Sequence, residues 1–213
     1  MDDGDDVDGS AHGSARGTGS GPAGSRRKDA RRNQQTLLDA AAEVFVASGV
    51  EAPVRAIAEK AGVGVGTVYR HFPTRADLIV AVYHHQVDAC AAAGPALLAS
   101  AATPYDALRQ WVDLFVDFLV TKHGLAAVLR PDSPGFDALH AHFVDRLAPV
   151  CDRLLDAAVE HGDIRADLDG AARLDGLELM RGVGNLCVGA DSDPDYDPRR
   201  LISLLVAGLR ATH

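Results

Sequence analysis

The residues between Val54 and Phe72, VRAIAEKAGVGVGTVYRHF, carry side chains suited to gripping a polyanion and reading its surface. Thr67 can reach a phosphate or a base edge, Tyr69 and His71 can donate hydrogen bonds to phosphate oxygens, and Arg70 sets a cation beside them. Val65 can touch a thymine methyl, while Gly64 and Gly66 leave no side chain between the backbone and a base edge or phosphate. Arg55 and Arg75 flank the stretch with further positive charge. A phosphate-binding loop is excluded, because no strand pattern precedes the glycines and no Lys-Ser or Lys-Thr follows them. Dinucleotide spacing fails as well, since it needs a glycine where Thr67 stands.

Such side chains act together only if short helices hold them in register. Ile57, Ala58, Val63, Val68 and Phe72 are spaced to form the small core of two helices meeting at a glycine turn, a helix-turn-helix whose second helix can enter the major groove. A preceding helix is expected from about Arg27 to Ser48, with Leu37, Leu38, Ala41 and Phe45 on one face and Gly49 as a left-handed cap. Pro53 suits the first turn of the second helix, which buries Val54, Ile57, Ala58 and Ala61 and ends at Gly62. A short third helix runs from Gly64 to His71. A fourth starts at Thr74, with Asp77 completing a capping box, and continues through Leu78, Ile79, Val82 and Tyr83 toward Ala93. Gly94-Pro95 should break or bend it there.

Charge along the chain points the same way. The net charge is −9, which alone argues against nucleic acid. Residues 26–85, however, hold nine Lys/Arg against six Asp/Glu, and Arg26, Arg27, Lys28, Arg31 and Arg32 fall within seven positions. A cationic patch on an acidic body remains compatible with DNA. Residues 1–25 hold seven Gly, four Ser and five Asp, a composition that cannot offset the entropy of ordering, so a disordered acidic tail is expected there. Cys90, Cys151 and Cys187 are far apart and form no C-x-x-C pair, which suggests reduced thiols. The acidic start lacks a secretory pattern and no 18-residue apolar run exists, so a cytoplasmic protein with no membrane partner is expected.

The motif resembles the DNA-binding domain of the tetracycline-repressor (TetR) family of regulators. The resemblance covers residues 33–80 and rests on Phe45-x-x-x-Gly49, Ile57-Ala58-x-x-Ala61-Gly62-Val63 and Gly66-Thr67-Val68-Tyr69-x-His71-Phe72, followed by Leu78. It implies that Arg55, Val65, Gly66, Thr67, Tyr69 and His71 approach DNA and that Arg75 contacts a phosphate. Pro53 departs from the usual Thr and Gly64 from a common Ser, so two potential contacts are missing. The resemblance also implies a ligand-binding C-terminal domain and a dimer built from the last two helices.

The rest of the sequence fits that outline. After residue 103, long helices are expected at about 104–122, 135–161, 167–189 and 197–211, with the second kinked or divided near Leu147 by Pro149. The fold is therefore read as all-α: a three-helix DNA-binding domain at 26–85, a linker helix, and a helical ligand-binding and dimerisation bundle at 86–213. Trp111, Phe115 and Phe118 form a stripe that could line the cavity, faced by Phe136, His140, Phe143 and Met180. Leu201, Leu205 and Leu209, with Leu174, Leu177 and Gly184, are the expected dimer surface. His140 and His142 point about 200 degrees apart on a helix, so no metal pair is read there, and no cofactor site is indicated.

No Ser/His/Asp or paired-carboxylate arrangement stands at meaningful spacing, so catalysis is not indicated. The reading is a homodimeric repressor released from a palindromic double-stranded DNA operator by a small-molecule effector. Two others stay open: an enzyme or carrier with a vestigial helix-turn-helix, and a ligand-dependent activator or co-repressed regulator.

Overall fold

A computed structural model describes residues 22–126, 136–165, 174–188 and 195–211. Among these the chain forms eight helices: α1 (Pro22–Ser48), α2 (Val54–Ala61), α3 (Val65–His71), α4 (Arg75–Ser100), α5 (Pro104–Ala126), α6 (Phe136–His161), α7 (Gly176–Cys187) and α8 (Pro198–Gly208). The only β-type pairing among the described residues is an isolated antiparallel bridge between Ile164 and Arg210. The all-α expectation holds. Residues 1–33 separate as one unit and residues 34–213 as another.

Local signals set most helix ends. Gly49 adopts φ +76° and its amide donates to the Phe45 carbonyl at 2.9 Å, closing α1. Gly62 does the same for α2 at φ +68°, bonding back to Ala58 and Glu59. Only glycine takes such φ values without strain, which is why both helices stop there. Pro53 is the N-cap residue of α2 rather than its first helical residue. The Thr74–Asp77 capping box begins α4, and an unforeseen one, Asp175–Glu178, begins α7.

Four expectations are corrected. Helix α1 starts at Pro22, so residues 22–25 are helical and not part of a tail; residues 1–21 lie outside the described residues. Helix α4 runs through Gly94 and Pro95 to Ser100. Helix α6 passes Pro149 undivided. Both prolines are exposed, while Ala91 and Gly94 beside one, and Leu147 and Cys151 beside the other, are buried and hold the helix in line. Helix α7 begins at Gly176, later than the expected 167, because Asp175 caps it there; residues 166–173 are not described.

Gly94 has a packing role instead of a breaking one. A Cβ at this position would stand 2.3 Å from Val150 Cγ1, so the absence of a side chain lets α4 and α6 approach closely. Gly176 allows a second close approach, where its amide donates to Asp152 Oδ1 at 2.7 Å. The core is continuous from Leu37, Phe45 and Ile57 through Leu78, Val82 and Trp111 to Leu154, Val183 and Val206. The C-terminal end is tied down by Ala211 N donating to the Asp163 carbonyl at 2.9 Å, while the Asp163 carboxylate accepts from the Tyr105 amide at 3.1 Å.

Replacing Gly94 by alanine should lower the thermal midpoint, at a cost of about 1–3 kcal/mol from overpacking against a stiff β-branched side chain. Val150→Ala in the same chain should recover most of the loss. A midpoint unchanged by Gly94→Ala alone would show that the α4–α6 contact is looser than described.

Candidate nucleic-acid interface

The helix-turn-helix forms as its pattern requires. Ile57, Ala58, Val68 and Phe72 are buried, and Val63 packs beside them with its amide bonded to the Ala58 carbonyl at 2.9 Å. This fixes α3 against α2 and turns the other face of α3 outward. Val65 and Tyr69 are 37% and 50% exposed, Arg55, Arg70 and His71 are exposed, and Thr67 is half-buried. A large apolar valine and a tyrosine ring left in water on a seven-residue helix suit a surface that a partner will cover. At Gly64 and Gly66 a Cβ would meet nothing within 4 Å. Their lack of a side chain therefore serves nothing inside the chain, and leaves the first turn of α3 open to an incoming backbone.

Arg75 departs from the phosphate contact expected of it. Its side chain is half-buried, and Nη2 donates to the carbonyls of Val50 and Ala52, the latter at 2.7 Å, with Glu51 3.9 Å from Nε. The guanidinium thus pins the α1–α2 loop onto the start of α4. Two surface pairs add to the bracing: Lys60 to Glu43 at 2.6 Å joins α2 to α1, and His85 to Asp39 at 2.7 Å joins α4 to α1. These exposed pairs position more than they stabilise.

The expected effector-lining residues fall into two groups. Trp111, Phe115, Phe118 and Phe143 come together: Trp111 and Phe115 stack with centroids 5.5 Å apart, and Phe143 lies 5.9 Å from both Phe115 and Phe118. Tyr83, missed in the sequence, joins them 5.7 Å from Phe118, and its burial pushes the phenol up to about 12. The Trp111 indole donates to the Cys90 carbonyl at 3.0 Å. Met180 is buried, His140 is exposed with its ring 6.1 Å from Phe143, and the Phe136 side chain lies outside the described residues. Trp111 and Phe115 are fully buried core, in contact with other rings and not with open space.

An open groove of about 370 Å³ does lie between α4 and α5, lined by Gln86, Ala89, Cys90, Ala93, Leu114, Asp117 and Phe118. Of the expected residues it includes only Phe118. Burial pushes the Cys90 thiol up to about 12, so it lines the groove as an apolar group and not as a nucleophile.

On the expected dimer surface, Leu201 and Leu205 are 41% and 36% exposed, and Leu174, Leu177 and Gly184 are half-buried. Leu209 is corrected: it is buried, with its carbonyl accepting from the Arg165 amide, and cannot face another subunit. Leu204 at 62% and Val188 at 70% were overlooked. Leu204 sits three residues from Leu201 and one from Leu205, so its exposure follows from helical spacing once Ile202 and Val206 are fixed as the inward face.

Comparison with known proteins agrees with this geometry. Residues 37–82 match the family described as bacterial regulatory proteins, tetR family, and residues 103–211, half of the chain, match the C-terminal domain of SbtR-like transcriptional regulators. A TetR transcriptional regulator from Streptomyces coelicolor has a solved structure 32% identical in sequence, covering 84% of this chain and 99% of that one, with a TM-score of 0.69. The TetR regulatory protein of Mycobacterium vanbaalenii is 30% identical, with 87% and 99% covered and a TM-score of 0.66. The transcriptional repressor KstR of Mycolicibacterium smegmatis is 28% identical over 68% of this chain and 71% of its own length.

Tyr69 and Arg75 should separate on substitution. Tyr69→Ala is expected to cost about 1–3 kcal/mol in DNA affinity with the thermal midpoint unchanged. Arg75→Ala should lower both, because it strips donors from two carbonyls in the α1–α2 loop, a loss of about 1–3 kcal/mol in stability. Titration of labelled duplex beside thermal melts of each variant checks the distinction, and a Tyr69→Ala protein that binds as before removes Tyr69 from the interface.

Proposed function

The chain belongs to the tetR family of bacterial regulatory proteins, DNA-binding transcriptional regulators rather than enzymes, and we propose that it is a homodimeric repressor which a small molecule releases from a palindromic operator. Residues 26–85 are then the DNA-reading part and 86–213 the sensing and dimerising part. The observation that carries this reading is α4. It is one unbroken helix that grips the α1–α2 loop through Arg75 and α1 through His85, and that also carries the Cys90 carbonyl and Gly94 into the packing of α5 and α6. A change among α5 and α6 moves this helix, and with it the reading head.

Repression is favoured over activation by the relative KstR, which is itself a repressor. The effector is a mostly apolar molecule, since the groove and the aromatic cluster beside it are formed mainly by Ala, Leu, Cys and aromatic side chains. Release requires only that it bind more tightly to the arrangement in which the two recognition helices no longer match successive major grooves. Such a match needs two copies whose α3 helices stand about 34 Å apart. The exposed Leu201, Leu204 and Leu205 of α8, with half-buried Leu177 of α7 and exposed Val188 just after it, support this pairing as an apolar surface that a second copy can cover. A DNA partner supports a cytoplasmic setting, and among the described residues no helix is long and apolar enough to cross a membrane.

Selection of bound sequences from a random duplex pool tests the core of this reading: a two-fold symmetric site should be enriched at low salt, and recovery without any shared sequence overturns it. Leu204→Glu should turn a dimer into a monomer by light scattering and weaken binding to the recovered duplex at least tenfold, as loss of a linked second site implies. A Leu204→Glu protein that remains dimeric refutes the α7–α8 interface.

A further inference from the structure

Two residues one turn apart on α4, His84 and Asp88, and two on α6, His142 and Arg146, form a charged cluster that the reading above leaves unused. The His84 and His142 rings meet across the α4–α6 interface, edge to face, with centroids 4.2 Å apart. Asp88, one turn along α4, accepts from Arg146 Nε at 2.8 Å and lies 3.6 Å from His142 Nε2, which is itself buried and makes no hydrogen bond. His85 turns the other way, to Asp39 of α1. Tyr83 meets the edge of the His84 ring at 6.3 Å, and on α6 His140 and Asp145 are exposed. Burial first, and then His142, hold the His84 imidazole below the ordinary histidine range, with Asp88 only partly opposing them.

The position of this cluster gives it leverage. Ten residues farther along α4, about 15 Å at 1.5 Å per residue, Gly94 seats α4 against Val150 so closely that no side chain fits between them. That contact is a fulcrum. At the other end of α4, Arg75 and His85 hold the helix-turn-helix. We propose that the His84–His142 contact is a proton-sensitive latch between α4 and α6, and that its protonation pivots α4 and carries the helix-turn-helix out of its DNA-binding position. With both rings neutral the edge-to-face contact is favourable. With both protonated, two cations face each other within van der Waals reach, and Asp88, already engaged by Arg146, cannot neutralise both. Because the folded protein disfavours protonated His84, the latch is fully closed above the unperturbed value of roughly 6.5 and is lost as pH falls below it.

Two other histidines act in the opposite sense. Protonation of His71 on α3 adds a cation to the DNA-binding face, and protonation of His85 strengthens its pair with Asp39. The test is therefore a comparison between variants. Full-length wild type, His142→Gln, His84→Gln and His85→Gln are titrated with the duplex recovered by selection from about pH 7.5 to about pH 5.5, bracketing the histidine range at constant salt. Wild-type affinity should fall about fivefold or more relative to each latch variant, a normal size for coupling between sites. His85→Gln should lose at least as much as wild type. Amide exchange of the free protein, corrected for intrinsic rates, should rise with acid in residues 75–93 of wild type and not of His142→Gln. Parallel affinity profiles for wild type and both latch variants, or pH-independent exchange in α4, overturn the proposal. The second latch variant and the exchange measurement keep it refutable if one substitution fails to fold or no symmetric duplex is recovered.

Discussion

The unbroken continuity of α4 is the constraint on which the rest of this structure depends. Leu78, Ile79 and Val82 bury its first half in the core that Ile57 and Phe72 also join, and Tyr83, Val87, Cys90, Ala91 and Gly94 bury the part that packs against α5 and α6. A helix packed in this way at both ends is stiff, because bending it would open one set of contacts or the other. Loops on either side would have absorbed a displacement. Here the hydrogen-bonded ladder conveys it, and the side-chain grips at Arg75 and His85 ensure that the reading head follows.

Much of what depends on local chemistry was legible in the sequence, although the Asp175–Glu178 capping box, an equally local signal, was not read. Gly49 and Gly62 announce left-handed caps, Thr74 and Asp77 announce a helix start, and the spacing of Ile57, Ala58, Val68 and Phe72 announces two helices crossing at a turn. The misreadings share a tertiary cause. Gly94-Pro95 and Pro149 carry strong local signals for a break, yet buried neighbours hold both helices together. Arg75 was read as reaching outward because sequence cannot show that two carbonyls from residues 50 and 52 wait beside it. Leu209 belongs to an apolar helix whose stripes look alike until Ile202 and Val206 fix which one faces inward. His84 and His142 stand 58 positions apart, and nothing in their local spacing says that they meet.

The aromatic stripe shows how a correct pattern can carry an ambiguous meaning. Trp111, Phe115, Phe118 and Phe143 do converge, but their rings occupy the space that a cavity would need. The Trp111 indole also donates to the Cys90 carbonyl, so displacing it would strand a buried donor. Phe118 differs, because it belongs both to this cluster and to the groove between α4 and α5. A rotation of the Phe118 ring would be felt by Tyr83 on α4 and Phe143 on α6, whose rings lie 5.7 and 5.9 Å from it.

Two inputs thus converge on one lever by different chemistry. On the proposed reading an apolar effector would act through packing, on the α4–α5 side near Cys90 and Phe118, and a proton through charge, on the α4–α6 side at His84 and His142. Both lie on the reading-head side of the fulcrum at Gly94, so each would move the same arm, and Tyr83, which meets both Phe118 and His84, links them. Inputs that share a contact are coupled rather than simply additive, whereas inputs competing for one pocket would exclude each other. The size of the joint response is bounded by what the lever can lose, namely the contacts of α4 with α6 between His84 and Gly94. That stretch is held by the His84–His142 ring pair, the pairs that Asp88 makes with Arg146 and His142, and buried side chains such as Val87 and Ala91, while the larger apolar anchors of α4, Leu78, Ile79 and Val82, lie outside it. Weak contacts between strong ones are what a two-state element requires, because a difference of a few kcal/mol can then move it without unfolding either end.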